Sequence, residues 1–96
     1  MATKRGGKGK GPGAWQSSSA YRVAIAKLVE ARASKGLTQR DLAGKLGKQP
    51  SWVAKIESRE RRLDIIEFIA VCRALEINEG QFLDEISRAL PKRLEV

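Results

Sequence analysis

The stretch from Thr38 to Glu57, T-Q-R-D-L-A-G-K-L-G-K-Q-P-S-W-V-A-K-I-E, constrains the fold of this chain more than any other. Thr38 is a good N-cap, and Asp41 three residues on makes a variant of the capping box. Leu42, Ala43 and Leu46 then share one face at helical spacing, which predicts a helix from about Gln39 to Leu46. Gly47 ends that helix and turns the chain. Pro50 suits the first position of the next helix, where its missing N–H costs nothing, and this helix runs to about Glu57 or Ser58. It places Val53 and Ile56 inward and leaves Ser51, Trp52 and Lys55 outward. Ala43 is small where the two helices must approach closely.

Two short helices joined by a glycine turn, in a strongly basic small protein, suggest a helix-turn-helix that reads DNA. The chain has 96 residues, a net charge of +8 and a pI near 10.2. Lys and Arg on phosphates displace counterions, so this balance favours a polyanionic partner. The charge is also unevenly placed. Residues 1–19 hold Lys4, Arg5, Lys8 and Lys10 and no acid, and residues 35–62 hold eight bases against three acids. Residues 63–90 reverse the balance, with Arg73 and Arg88 against six acids.

Catalysis finds little support. There is no histidine, which removes the commonest general base and metal ligand. The glycine run at 6–13 lacks the G-K-[ST] ending and upstream strand of a phosphate loop. The chain is therefore expected to be no enzyme, with no catalytic residue, no metal site and no cofactor. Its one cysteine, Cys72, cannot form an intramolecular disulfide, fits a reducing cytosol, and reads as a small core residue. No apolar run approaches the roughly 20 residues that span a bilayer. No apolar region follows the basic N-terminus as in a secretory signal.

Residues 1–18 are Gly-rich, basic and without apolar periodicity, and backbone entropy is expected to keep them a disordered arm. Such an arm is either a solvated tail or a follower of phosphates and minor grooves. Trp15 is its anomaly, a large apolar group that packs on the domain or on a partner. A domain is expected over residues 19–90, with the helix-turn-helix at about 38–58 and a tail at 91–96. Ser19 is read as the cap of a first helix, Ala20 to Ser34, stopped by Gly36. Asp64 with Glu67 caps helix four. Its apolar residues, Ile65, Ile66, Phe68, Ile69, Val71, Cys72 and Leu75, predict a central helix wrapped on most sides. Asn78 with Gln81 starts helix five, Glu79 to Leu90, which Pro91 stops. Phe82, Ile86 and Leu90 form an i, i+4, i+8 stripe open to internal packing, a homodimer seam or a different protein, with internal packing plus dimerisation expected.

The segments A-R-A-S-K-G-L-T-Q-R-D-L-A-G-K-L-G, P-S-W-V-A-K-I-E-S and L-D-I-I-E-F-I-A-V-C-R-A-L resemble the lambda-repressor/Cro-like helix-turn-helix family, often called XRE. The resemblance covers about half the chain, from about Ala31 to Ile77. It implies a compact five-helix all-α domain, usually dimeric on a two-fold site, with helix three in the major groove. It places Gln39 where the family touches a phosphate and braces the recognition helix. Gln49, Pro50, Ser51, Trp52 and Lys55 fall at its DNA-facing positions. Lys55 can donate to guanine O6/N7 or to a phosphate, and Ser51 can donate or accept at several bases. Pro50 offers only apolar contact. Trp52 either lies along a sugar or folds back onto helix two or the arm.

Arg32 and Glu57 match a structural pair of the family that ties the recognition helix to the scaffold. One departure stands out. The family usually has Gly or Asn just after helix three, where this chain has Ser58 and Arg59. A left-handed Arg59 would cost on the order of 1–2 kcal/mol, so a longer helix or a different turn is expected, with Arg59 on a phosphate. With Lys48, Arg61 and Arg62 added, the candidate DNA-binding set is Gln39, Lys48, Gln49, Pro50, Ser51, Trp52, Lys55, Arg59, Arg61 and Arg62.

The expected function is a sequence-specific regulator of transcription acting on double-stranded DNA, a repressor on a palindromic operator, in a bacterial cytoplasm or phage-encoded. The rival on the same scaffold is an antitoxin or coregulator working through a protein partner. RNA binding is weaker, because the domain lacks aromatic stacking platforms for single strands.

Overall fold

A helix leaves four N–H groups without intrahelical partners at its start, and this chain supplies a side-chain acceptor or a proline at each one. The computed structural model describes residues 14–94; residues 1–13, with Lys4, Arg5, Lys8 and Lys10, lie outside the described residues. Helix α1 spans Ser19–Ser34, α2 Gln39–Leu46, α3 Pro50–Glu57, α4 Ile65–Ala74 and α5 Glu79–Ala89. A 3-10 turn, Ala14–Ser17, precedes them, and among the described residues there is no strand. The five-helix, all-α expectation holds.

The caps follow the sequence with one shift. Ser18, not Ser19, caps α1, its hydroxyl accepting the Tyr21 N–H at 3.3 Å. Thr38 and Asp41 form the full reciprocal box, as do Asp64 and Glu67. Asn78 accepts the Gln81 N–H at 2.8 Å. At the far end of α5, Leu90 is already extended, as a residue before proline is pushed to be, so the helix stops one residue early.

Helices α1 to α4 close alike, with a left-handed residue flanked by two return hydrogen bonds. Gly36 and Gly47 take that position after α1 and α2. Arg59 takes it after α3 with φ +64, and Glu76 after α4 with φ +59. The expectation for Arg59 is therefore corrected: the helix neither runs on nor turns another way. Glu60 N–H donates to the Lys55 carbonyl at 2.9 Å and Arg59 N–H to that of Ile56 at 3.1 Å. Those bonds offset part of the strain of an arginine there.

The core comprises Ile25 and Leu28 of α1, Leu42 and Ala43 of α2, and Val53 and Ile56 of α3, joined by Val71, Cys72, Leu75, Phe82 and Ile86. Ala43 is fully buried where α2 meets α3, as its size predicted. The stripe on α5 faces inward: Phe82 and Ile86 are buried, Leu90 packs at the margin, and the Phe82 ring stacks on Phe68 at 6.0 Å. Burial pushes the Cys72 thiol up to about 11, which keeps it protonated and inert. The reading of α4 as wrapped on most sides is corrected. Phe68, Val71, Cys72 and Leu75 form its inner face, whereas Ile65 and Ile66 are 71% and 70% exposed.

Candidate nucleic-acid interface

Helix α3 is short, so its orientation depends on what grips its ends. At the C-terminal end, Glu57 Oε2 accepts from Arg32 Nε at 2.7 Å and Oε1 from Arg32 Nη2 at 2.9 Å. Oε1 also accepts from Gln39 Nε2 at 2.8 Å, and Arg32 Nη1 donates to the Leu37 carbonyl at 2.7 Å. One carboxylate thus fastens α3 to both α1 and the start of α2. The hydrogen bond to Glu57 raises the Arg32 pKa further, against the cost of burial. The expected Arg32–Glu57 pair is present, and Gln39 bonds to the same carboxylate at the end of α3.

Along the outward side of α3, Ser51 and Lys55 are exposed and Pro50 is half-buried at the first turn. Gln49, the N-cap residue, is exposed and its side chain makes no capping bond. Trp52 is half-buried, its ring packed against the core margin. Lys48 Nζ lies over that ring at 5.4 Å and the Arg61 guanidinium at 5.1 Å from the centroid. The half-buried indole thus carries two cations, one from the turn before α3 and one from the loop after it.

The loop after α3 is held from several directions. Arg61 forms a two-point salt bridge with Glu67, at 2.9 Å from Nη1 and 2.7 Å from Nη2. That bond, ahead of the Asp64 backbone, holds the Glu67 carboxyl below the usual carboxylate range. Arg62 is exposed and lies over the Trp15 ring at 5.4 Å. Trp15 packs edge-on against Tyr21, with 5.1 Å between centroids, which settles the anomaly in favour of the domain. Arg59 is half-buried, its Nε donating to the Gln16 carbonyl at 3.1 Å.

Around α3, Lys48 and Arg61 thus meet at the Trp52 ring, Gln49, Ser51 and Lys55 are exposed, and Gln39 holds Glu57. Arg59 and Arg62 are drawn toward the N-terminal turn instead. The sequence reading missed Gln16, Tyr21 and Glu67 as supports. For Glu67 the signal was its place in the capping pattern, which already set it beside the basic loop. Gln16 carried no signal. Among the described residues no group of His, Cys, Asp or Glu could hold a metal ion, and no helix is long and apolar enough to cross a membrane.

A glycine-turned helix pair with its second helix outward and a basic loop behind it defines a helix-turn-helix protein. A family model described as "Helix-turn-helix" matches residues 28–82. An XRE-family like protein from Pseudomonas syringae pv. tomato str. DC3000 is 38% identical, the match covering 76% of this chain and 89% of that one, with a TM-score of 0.72. The clp gene regulator ClgR from Corynebacterium glutamicum is 26% identical over 73% of this chain and 74% of its own, at a TM-score of 0.64. No curated protein sequence gives a significant match. The chain belongs to the XRE family of helix-turn-helix proteins, DNA-binding regulators of transcription.

Proposed function

We propose that the protein is a sequence-specific repressor that binds a palindromic operator as a homodimer, with α3 in the major groove. The observation that carries this reading is the grip of Glu57 on Arg32 and Gln39, which holds a short helix with Ser51 and Lys55 facing solvent. Lys55 reads guanine, and Ser51 a neighbouring base. Pro50 contributes apolar contact, such as a thymine methyl. Gln49, Lys48, Arg61 and Arg62 serve phosphates and neighbouring edges, and Arg59 a phosphate through its Nη atoms. Promoter occlusion is the simplest action of a compact domain that sits on DNA.

The seam of the homodimer moves from the position expected on α5. Phe82, Ile86 and Leu90 pack inward, so the surface for a second copy lies around Ile65, Ile66 and Leu83. Ile65 and Leu83 edge an apolar groove of about 280 Å³ that Tyr21, Ala24, Leu63 and Phe68 help to line. It lies at the start of α4, directly after the loop that ends α3. A two-fold axis there would set two recognition helices side by side, as half-sites one helical turn apart require.

Selection of bound sites from random duplex DNA tests the reading. Enrichment of a palindrome supports reader and dimer together, and no enrichment sinks the repressor. The same apolar groove would then favour the antitoxin or coregulator reading. With about 6–10 phosphate contacts per dimer, affinity falls roughly 10³–10⁵-fold between 50 and 200 mM salt.

A further inference from the structure

The turn Ala14–Ser17 has no place on the reading surface, yet it is bonded to the loop behind it. Gln16 Nε2 donates to the Arg59 carbonyl at 2.9 Å, and Arg59 Nε donates back to the Gln16 carbonyl at 3.1 Å, across 43 residues of chain. One position earlier, Trp15 carries the Arg62 guanidinium over its ring. Tyr21, against which Trp15 packs, accepts the Leu63 N–H at 3.1 Å through its hydroxyl. Residues 59, 62 and 63 are therefore held by the N-terminal turn and the start of α1, and Arg61 by Glu67 and Trp52.

Arg59 is where such support matters. A non-glycine residue at φ +64 persists only where its surroundings over-determine it. Gln16 fixes both the carbonyl and the guanidinium of that residue. Rotation of Arg59 toward ordinary backbone angles would swing residues 60–62 and break the bonds from the Glu60 and Arg61 N–H groups to the Lys55 carbonyl, at 2.9 and 3.1 Å. The last turn of α3 and the basic loop therefore keep their relation only while the loop is held.

We propose that Trp15 and Gln16 are positioning residues for DNA binding, fixing the loop between α3 and α4 so that Arg61 and Arg62 meet phosphates beside the groove that α3 occupies. The proposal rests on the DNA reading given above.

The test combines amide exchange on the free protein with binding to a mixed-sequence duplex between 50 and 200 mM salt. Gln16→Ala is expected to speed exchange at Glu60 and Arg61 and to weaken binding about three- to tenfold, the range of one or two hydrogen bonds. Trp15→Ala is expected to lower the slope of log affinity against log salt by about 0.9 per protomer, one phosphate contact, through release of Arg62. Trp15→Phe keeps a ring for Arg62 and is expected to retain the parent slope. Unchanged exchange at Glu60 and Arg61 in Gln16→Ala overturns the proposal. So does a loosened loop with unaltered affinity and slope. A parent protein that binds no duplex overturns the DNA role of the turn together with the proposed function, and faster exchange in Gln16→Ala then shows that the fault lies in the function and not in the latch.

Discussion

Arg32 and Glu57 meet through two hydrogen bonds, at 2.7 and 2.9 Å, with side chains only 14% and 7% exposed. A planar guanidinium matched to a carboxylate in this way is bidentate, and a lysine at position 32 could not reproduce it. Arg32→Ala leaves the Glu57 carboxylate nearly buried with Gln39 as its remaining side-chain donor, at a cost of about 3–5 kcal/mol. Thermal melting checks this, and an unchanged melting temperature counts against the pairing.

The acidic caps set a pH dependence. The Thr38 backbone N–H, more than its hydroxyl, lowers the Asp41 pKa, and Arg61 lowers that of Glu67. Carboxyls depressed in the folded state contribute stability that is complete above their unfolded values of about 4 and is lost as pH falls through the folded ones. The melting temperature should hold from pH 7 to about 5 and drop below 4. Glu67→Gln should flatten part of that drop, and an identical profile would show that the Arg61 bond contributes nothing.

Ile66→Asp separates the dimer seam from the core. At 70% exposure the side chain has little packing to lose, so the change in stability should stay within about 0.5 kcal/mol. Sedimentation should show loss of a dimer, with weaker binding to a palindromic duplex. A variant that remains dimeric places the seam elsewhere.

Lys55→Ala or Ser51→Ala should change which bases are preferred in a selection from random duplex. Truncation of residues 1–14 should weaken binding to all sequences about equally. A shift of preferred site on truncation would make those residues readers.

Glu76 is exposed and left-handed at φ +59. Glu76→Gly should relieve more strain than the added chain entropy costs, for a gain of about 0.5–1 kcal/mol read as a higher melting temperature. A lower melting temperature would mean that the glutamate side chain stabilises the turn.

What the sequence made legible is what short spacing determines. Thr38 with Asp41, Asp64 with Glu67, Gly47 and Pro50 each act within four residues, so the letters alone place them. The Arg32–Glu57 pair spans 25 residues and was legible only through family resemblance. Arg59 shows the limit. Its local penalty was read correctly, but the compensation comes from Gln16, 43 residues away, and nothing in a Gly- and Ser-rich segment announces it. Helix α4 misled for another reason. Its apolar residues suggested burial all round, but a five-helix domain covers only the face of Phe68, Val71, Cys72 and Leu75.

The ring of Trp52, shared by Lys48 and Arg61, has a consequence in time as well as in space. Long cationic side chains that must be stilled on binding cost about 0.5–1.5 kcal/mol each. Here part of that ordering is complete before any partner arrives, with the two charges already parked beside the start of α3. A duplex meeting this face would find its counter-ions waiting in place, and the gain would show as a longer residence, since changes within one interface fall mainly on dissociation.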